Sequence, residues 1–357
     1  MSMTKSNIRI GLIGGGAIVR QRHLPGLRKL EGVEVVAVCN RRPESTRRLA
    51  QEFAIPRVAD DWRDIVAMDD LDVIWVGTTP YMHCPITIAA LEAGKHVFCQ
   101  SRMCMDLDEA RGMAAAGARH PDCVVRFCPP PMGLAGDRTM QRLLHHERLV
   151  GDIRQVHLTS VNGSLLDPHG ELTWRLQKEQ SGQNMMTLGI YFEVLDRWLG
   201  PTPRMTAVSR TWTKTRIHPD PRLPTAVEIP ESVNVIAELA SGAVGIYCFN
   251  GVNAHGPSDH LAVYGTAGTL VYHFSADENT EWIEGARRGE PRLQRIPIPE
   301  QERRTWTVEA EFIRAVRTGQ CDPILPDLQC GLRYMNLVNA VHRSAAESRA
   351  IGTSCDG

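Results

Sequence analysis

The feature that most constrains this chain is its opening stretch, residues 8–25, which reads IRIGLIGGGAIVRQRHLP. A short apolar run rich in β-branched residues ends at Ile13, three consecutive glycines follow, and a helical pattern opens at Ala17. A strand, a glycine turn and a helix in this order predict a dinucleotide-binding unit, because the N–H groups and dipole at a helix N-terminus attract a pyrophosphate.

Each residue of the turn has an expected part in holding the phosphates. Gly14 permits the tight turn, Gly16 lets the backbone approach the pyrophosphate, and Ala17 and Ile18 open the helix. Val19 stands where the fingerprint has its third glycine, which serves helix packing and not phosphate contact. The alternative is a strand–glycine–helix turn that binds nothing.

The size and charge of the chain limit the classes to which it can belong. With 357 residues, of which 43% are hydrophobic and 23% charged, it can form two folded domains. The formal net charge of -1 argues against nucleic acid or a membrane surface as a partner. A polar N-terminus, no long apolar run and scattered cysteines without a C-x-x-C spacing favour a cytoplasmic protein with reduced thiols.

A second apolar strand, residues 33–38, ends in a group that bears on the choice of cofactor. The residues that follow it are Cys39, Asn40, Arg41 and Arg42, at the point where an acidic residue usually binds the adenosine ribose 2′-hydroxyl. No acid is present, and two arginines suit a 2′-phosphate, so NADP is favoured and NAD remains possible. The alternative is a solvated basic turn.

Strands alternate with helices as far as residue 127, and this pattern then stops. The alternation predicts a doubly wound parallel sheet, that is, a Rossmann domain of class α/β over residues 1–127. After three prolines the pattern changes to period-2 strands at 153–161, 205–211, 233–239, 244–249 and 261–264, with helices at 138–147, 188–199, 308–317 and 328–346. Residues 128–357 are therefore expected to form an α+β domain with a large, open-faced, mainly antiparallel sheet.

Several strings, taken together, resemble the Gfo/Idh/MocA family, named after glucose-fructose oxidoreductase and inositol dehydrogenase. They are GLIGGGAIVRQRHLPGL at the start, GTTPYMHCPITIAALEAGKHVFC at 77–99, TWRLQKEQSG before 183, TLGIYFEVLDRWLG at 187–200, and SGAVGIY and YGTAGTL in the sheet. The resemblance covers nearly the whole chain. It implies an NAD(P)-dependent oxidoreductase acting on a hydroxyl or carbonyl carbon of sugars and related compounds, and a sheet that is buried in a homodimer or homotetramer.

The resemblance also implies positions for the functional residues. Those that would line the cofactor path are Thr78, Thr79, Pro80, His83 and Gln100, and those near the substrate are Cys128, His169, Arg175, Gln183 and Asn184. The loop after a central strand is where a cofactor must run, which supports the first group independently. For His83 the alternative is a plain helix residue, and the substrate group could equally be structural.

Three departures from the family pattern bear on the chemistry. The family's Glu-Lys-Pro falls on Gln100, Ser101 and Arg102, and its Asp-x-Gly-x-His motif falls on residues 187–191, so that the aspartate becomes Thr187 and the histidine Tyr191. A further aspartate three positions on becomes Val194, and ordinary alcohol oxidation by the usual lysine, aspartate and histidine is not available.

Hydride transfer at an alcohol carbon still needs a group that moves the hydroxyl proton. Tyr191 is the candidate, and Thr187 lies four residues earlier on the same helix face. A tyrosine acts as a base at neutral pH only beside a cation, and we expect Arg102 or Arg175 to supply one. The alternative is a structural tyrosine whose hydroxyl is satisfied.

These substitutions leave other activities open. One alternative is a redox-neutral reaction with a tightly held cofactor, such as elimination, isomerisation or glycosidase-like hydrolysis, and another is a catalytically silent sensor of cofactor or sugar. No metal or serine-hydrolase motif is present. The sequence predicts a small polar, sugar-like or sugar-acid substrate without identifying it or the direction of reaction.

Overall fold

A computed structural model describes residues 7–276 and 278–353 of the chain. The described residues form two compact units, one comprising those up to 129 together with 307–332, the other those within 130–306 together with those from 333 on. The sequence led us to expect a single boundary after residue 127. The second unit instead interrupts the first, because the helix Val308–Thr318 packs with the opening helix of the chain.

The first unit contains a six-stranded sheet in which every neighbouring pair of strands is parallel, in the order β3-β2-β1-β4-β5-β6. The strands are β1 (Ile8–Ile13), β2 (Val33–Cys39), β3 (Arg57–Val58), β4 (Val73–Val76), β5 (His96–Cys99) and β6 (Val125–Phe127). Reversal of the strand order beside β1 gives the Rossmann arrangement. The predicted doubly wound fold is confirmed.

Helices connect these strands. The first is residues 17–27, π-helical over Val19–His23 and ending in α1 (Leu24–Leu27); the others are α2 (Pro43–Glu52), α3 (Trp62–Val66), α4 (His83–Glu92), α5 (Leu107–Arg119) and, after the second unit, α9 (Val308–Thr318). Asp106 begins α5 by accepting the Glu109 N–H at 2.9 Å, as its sequence predicts.

An aromatic cluster forms part of the core of the first unit. The rings of Trp75 and Phe98 stack with centroids 4.0 Å apart, and Phe312 of α9 contacts both of them edge-on. All three side chains are fully buried. Because burial of a large aromatic side chain contributes a few kcal/mol, about 1.5–3 for phenylalanine, α9 is an integral part of this unit although it lies far along the chain.

The second unit contains a nine-stranded sheet in the order β16-β15-β14-β13-β7-β12-β11-β8-β17. Its strands are β7 (Ile153–Val161), β8 (Arg204–Arg210), β11 (Ser232–Glu238), β12 (Val244–Asn250), β13 (Asp259–Gly265), β14 (Gly268–Ser275), β15 (Thr280–Arg287), β16 (Gln294–Ile296) and β17 (Ile351–Gly352), with a separate pair, β9 (Thr215–Ile217) and β10 (Pro224–Ala226). Neighbouring strands are antiparallel except β7 and β12. The predicted α+β fold with a mainly antiparallel sheet is confirmed.

Helices cover one side of this sheet. They are α6 (Asp137–Gln141), which continues as a π-helix over Arg142–His146, α7 (Lys178–Ser181), α8 (Leu188–Leu199) and α10 (Leu328–Glu347). The buried side of α8 presents Phe192, whose ring lies against Tyr247 and Phe249 of β12. On the opposite side of the sheet Val208, Ile236 and Ile246 are exposed, Ile236 to 59%.

Candidate active site

The glycine turn after β1 packs tightly against the end of β4. Gly14 has φ +90°, and its N–H donates to the carbonyl of Cys39 at 2.8 Å. A Cβ added at Gly14 would lie 2.6 Å from the backbone carbon of Gly77 and 2.6 Å from the backbone nitrogen of Thr78. Both its conformation and its surroundings therefore require glycine.

Asn40, at the end of β2, holds this turn in place. Its Oδ1 accepts the Gly15 N–H at 2.6 Å, and its Nδ2 donates to Ser45 Oγ at 3.2 Å. The predicted cofactor residue thus has its side chain occupied by the protein. Arg41 and Arg42, which follow it, are exposed to solvent, at the strand end where the adenosine ribose lies in a Rossmann fold.

The remaining residues of the turn fit a dinucleotide pyrophosphate. Gly16, Ala17 and Ile18 are exposed at the start of the first helix, whose first N–H groups have no intrahelical acceptor. Above Gly16 the space is open, since an added Cβ would meet only the Gly77 carbonyl oxygen, at 3.8 Å. Beside the turn, Thr78 Oγ1 is buried without a hydrogen-bond partner anywhere in residues 7–276 and 278–353. Exposed N–H groups, open space and an unsatisfied hydroxyl together suit a phosphate-bearing ligand.

His83, at the first position of α4, is fully buried. Its Nδ1 lies 2.7 Å from the carbonyl oxygen of Arg102, and its Nε2 lies 3.0 Å from that of Thr78. Burial lowers the pKa of His83 below its usual value, against the opposing effect of these carbonyls. The buried ring connects two loops, and its expected place beside the cofactor path stays a prediction. Thr79 is half-buried and Pro80 buried in the same loop.

The segment after β5 contains a buried hydrogen-bonded chain that sequence reasoning missed. The amide of Gln100 donates to His23 Nε2, and His23 Nδ1 lies 2.5 Å from the carboxylate of Glu309. His23 and Glu309 are both buried, although 286 residues separate them. Ser101 is half-buried and Arg102 is 8% exposed. Because Glu309 belongs to α9, only the folded structure reveals the chain.

In the second unit Thr187, the N-cap of α8, and Tyr191 within α8 hydrogen bond to different partners. Thr187 Oγ1 lies 3.1 Å from Ser160 Oγ of β7, while the Tyr191 hydroxyl donates to Asp259 Oδ2 of β13. Tyr191 is 2% exposed, whereas Thr187 and Asp259 are half-buried. The cluster thus contains an aspartate and a serine that sequence reasoning missed.

The partner of Tyr191 corrects the expectation of a neighbouring cation. Burial, with the charge of Asp259 as the next cause, raises the pKa of Tyr191 well above its usual value. A cation such as Arg102 or Arg175 was expected to lower it. Burial also raises the pKa of Asp259, although hydrogen bonds from Tyr191 and Ser160 oppose the shift. The signal that could have suggested Asp259 is an acidic residue at the opening of a strand, in SDHLAVYGTAGTL.

The other residues predicted near the substrate are dispersed. Arg175 is exposed and stacks over the Trp174 ring at 4.4 Å, and His169 is exposed in a loop. Gln183 accepts the His342 Nε2–H through its backbone carbonyl at 2.6 Å, and the buried Asn184 donates to the Ser181 carbonyl at 2.7 Å. Cys128 belongs to the first unit, and burial raises the pKa of its thiol far above the usual value.

The described residues contain neither a metal-binding cluster nor a membrane-spanning helix. No group of three or more histidine, cysteine, aspartate or glutamate side chains there is placed to hold a metal ion. Of the helices in residues 7–276 and 278–353, none combines the length and apolar character needed to cross a bilayer.

Two family models account for most of the chain. The oxidoreductase family model with an NAD-binding Rossmann fold matches residues 8–126, and the model of the GFO/IDH/MocA C-terminal domain matches residues 138–271. The chain belongs to the Gfo/Idh/MocA family. This family consists of oxidoreductases, so the chain is an NAD(P)-dependent oxidoreductase, and the resemblance drawn from its sequence is confirmed.

Curated relatives and solved structures agree with this assignment. Levoglucosan dehydrogenase of Pseudarthrobacter phenanthrenivorans is 24% identical over 96% of this chain and 97% of its own length. The 1,5-anhydro-D-fructose reductase of Ensifer adhaerens is 30% identical over 49% of this chain and 50% of its own. A structure of levoglucosan dehydrogenase in complex with NADH and L-sorbose superimposes with a TM-score of 0.83 at 22% identity, covering 98% of this chain and 99% of that one. At this identity the superposition establishes the fold.

Proposed function

We propose that this protein transfers hydride between NADP(H) and a hydroxyl- or carbonyl-bearing carbon of a small, sugar-like or sugar-acid substrate. The observation that carries the proposal is the glycine turn, with Gly16 open to solvent and the Thr78 hydroxyl buried without a partner in the described residues. The bound nicotinamide would accept or donate the hydride, and the chain's own residues hold the nucleotide and move the proton.

The substrate class is argued from the relatives and from the polar cluster of the second unit. Curated relatives are named for levoglucosan, for 1,5-anhydro-D-fructose and, in Escherichia coli, for D-glucosides. Tyr191, Asp259, Ser160 and Thr187 supply hydroxyl and carboxylate groups, which suit hydrogen bonding to a substrate rich in hydroxyl groups. A polyol ring is therefore the class to test first.

The preference for NADP rests on the residues after β2. An aspartate or glutamate there would repel a 2′-phosphate, and none is present between Cys39 and Pro43. The exposed guanidinium groups of Arg41 and Arg42 can hold a phosphate with two parallel hydrogen bonds each. The solved levoglucosan dehydrogenase carries NADH, so NAD is the cofactor that a competition experiment must include.

We further propose that the hydrogen-bonded pair of Tyr191 and Asp259 carries out the proton transfer, with Thr187 reaching the same cluster through Ser160. Ser101 and Arg102 are proposed to act at the active site from the loop after β5, in line with their positions in the family motif. Arg175, Gln183, Asn184, Cys128 and His169 are kept as proposed substrate-side positions, each to be tested by substitution.

A homodimer or homotetramer through the open face of the nine-stranded sheet completes the proposal. The exposed side chains Val208, Ile236 and Ile246 lie on three neighbouring strands, and Ile236 is directly opposite Ile246. Apolar residues on three neighbouring strands of a broad sheet face suit a second copy of the same chain, because a two-fold axis brings the same patch of both copies together.

The proposed function is tested by incubating the purified protein with NADP+, NAD+, NADPH or NADH and a panel of sugars, inositols, sugar acids and aldehydes. We expect a change in nicotinamide absorbance with at least one substrate, and faster turnover with the NADP pair. Product formation without net change in the cofactor would instead indicate a redox-neutral reaction. Tight nucleotide binding without any product would indicate a sensor, and either result contradicts the proposal.

A further inference from the structure

One polar cluster interrupts the apolar side of the nine-stranded sheet. Ser160 is near the end of β7 and Asp259 opens β13, and these strands are antiparallel with Thr159 opposite His260, so Asp259 is cross-strand from Ser160. From α8, Tyr191 donates its hydroxyl hydrogen to Asp259 and Thr187 hydrogen bonds to Ser160. Two strands and one helix thus bring four hydrogen-bonding side chains together.

Exposure divides the four residues into two pairs. Tyr191 is 2% and Ser160 4% exposed, whereas Asp259 and Thr187 are half-buried. A ligand arriving from solvent therefore meets Asp259 and Thr187 before Tyr191 and Ser160. This order differs from what the sequence suggests, because Tyr191, and not Asp259, stands at a family catalytic position.

Of these four side chains, Asp259 is the one that ordinarily ionises below neutral pH and whose pKa is raised. Burial and the negative charges of Asp259 and Glu281 raise the pKa of Tyr191, which therefore stays protonated as a hydrogen-bond donor. Burial raises the pKa of Asp259 towards the range that suits general acid–base catalysis, while Tyr191, Ser160 and the neighbouring His260 all lower it.

We propose that Asp259 exchanges the proton with the substrate oxygen, and that Tyr191 and Ser160 are positioning residues that orient its carboxylate. This inference rests on the proposed function. In the oxidation direction the substrate O–H bond would break and its proton would form an O–H bond on Asp259, while the carbinol carbon would give its C–H electron pair as hydride to the oxidised nicotinamide of the proposed function and a C=O bond would form. Reduction reverses every step, with protonated Asp259 as the acid, and the carboxyl proton exchanges with solvent.

Three variants test the assignment. Asp259→Asn keeps the size and hydrogen-bond acceptor but removes the base, Tyr191→Phe removes the positioning hydroxyl, and Asp152→Asn is the matched control. Asp152 precedes β7 at the strand end opposite Ser160, and its exposed carboxylate pairs with Arg148 at 2.9 Å. Each variant is assayed for turnover over a range of pH, for nucleotide affinity by fluorescence titration, and for thermal stability.

We expect Asp259→Asn to lower kcat by about 100-fold or more, the usual contribution of general acid–base catalysis, with unchanged nucleotide affinity. Tyr191→Phe should retain at least a tenth of the activity. In its plot of oxidation rate against pH, the loss of rate on the acidic side should begin at a higher pH than in the wild type. The direction follows because the Tyr191 hydrogen bond lowers the pKa of Asp259. Asp152→Asn should keep both the activity and the profile of the wild type.

Stability provides a readout that does not depend on turnover. A carboxyl group whose pKa is raised by folding contributes stability below its unfolded pKa and loses that contribution as pH rises through the folded pKa. At neutral and higher pH the asparagine variant should therefore melt at the same temperature as the wild type or above it, and this advantage should shrink as pH falls. A structural aspartate would show the opposite, a lower melting temperature at neutral pH.

The outcomes separate this inference from the function on which it rests. A wild type that reacts with no panel member overturns both. An active wild type whose Asp259→Asn variant stays within a few-fold of it, while Tyr191→Phe is inactive, overturns the assignment and makes Tyr191 the proton carrier. Loss of nucleotide affinity or a lower melting temperature in Asp259→Asn shows a structural role and also overturns it.

Discussion

Two glycines of the same turn should respond in opposite ways to an added methyl group. Gly14 has φ +90° and its Cβ would lie 2.6 Å from backbone atoms of Gly77 and Thr78, whereas at Gly16 the nearest atom would be 3.8 Å away. The Gly14→Ala variant should therefore lose stability, while Gly16→Ala should fold normally and lose nucleotide binding. Comparing the two variants therefore distinguishes the contribution of the turn to stability from its proposed contribution to nucleotide binding.

The magnitudes follow from the geometry. A non-glycine residue at positive φ costs about 1–3 kcal/mol, and forcing a methyl group into packed backbone costs about 1–3 kcal/mol more. Gly14→Ala should thus lower the free energy of unfolding by roughly 2–6 kcal/mol, out of the roughly 5–15 kcal/mol typical of a domain. Gly16→Ala should change it by less than about 1 kcal/mol, since the methyl group meets no neighbour closer than van der Waals contact.

Urea denaturation followed by tryptophan fluorescence measures the stability of both variants, and NADPH titration measures their affinity. For Gly16→Ala we expect affinity to fall by about tenfold or more, or about 1.4 kcal/mol, because a pyrophosphate would approach the backbone where the methyl group projects. Unchanged NADPH affinity in a stably folded Gly16→Ala protein would refute the assignment of the turn to the phosphates. A Gly14→Ala protein as stable as the wild type would refute the packing argument.

Three further predictions concern the cofactor, the assembly and the core. Replacing Arg41 and Arg42 with alanine should weaken NADPH binding by about 100-fold or more and NADH binding far less, because each guanidinium group lost removes charge-assisted hydrogen bonds of about 1.5–3 kcal/mol to the 2′-phosphate. Ile236→Glu, on the exposed sheet face, should convert the oligomer to a monomer in light scattering, since two copies of the charge would meet across the axis. Glu309→Gln should lower the free energy of unfolding by about 1–3 kcal/mol, because it weakens a buried hydrogen bond to His23.

Matched controls accompany these variants. Arg47 and Arg48 are exposed on α2, and their alanine variants should leave the ratio of NADPH to NADH affinity unchanged. Val58→Glu places a charge at another exposed apolar residue and should keep the oligomer intact. Equal losses of both nucleotides, a persistent oligomer in Ile236→Glu, or an unchanged unfolding curve for Glu309→Gln would each contradict the corresponding reasoning.

Local patterns in the sequence predicted most of the fold. The helix predicted at residues 188–199 is α8 (Leu188–Leu199), and the strand predicted at 153–161 is β7 (Ile153–Val161). Both are long and strongly patterned, so local periodicity and burial agree. The strands β14 (Gly268–Ser275) and β15 (Thr280–Arg287) were missed. Glycine and charged residues interrupt the alternation of apolar and polar side chains in these segments, and pairing with neighbouring strands stabilises their extended conformation.

The candidate site was harder to predict because its contacts are distant in sequence. The positions of Thr187 and Tyr191 could be anticipated from a motif, but Asp259 lies 68 residues beyond Tyr191 and reaches it only through sheet pairing. The neighbour of Tyr191 is therefore a carboxylate and not the expected cation, so the pKa of Tyr191 is raised instead of lowered. Single-sequence patterns report local geometry, whereas the electrostatics of a site depend on these remote neighbours.

The return of α9 (Val308–Thr318) to the first unit has a consequence for biosynthesis. Residues 1–129 are synthesised long before Glu309 and Phe312. During that time Trp75 and Phe98 lack their contacts with the Phe312 ring, and His23 lacks its hydrogen bond to the Glu309 carboxylate. The nucleotide-binding half can consequently reach its final packing only after the intervening 177 residues, 130–306, have been translated. A fragment expressed from the first 129 codons should for the same reason depend on chaperones. A fragment that also carries residues 307–332 on a short linker contains the helix that completes its core.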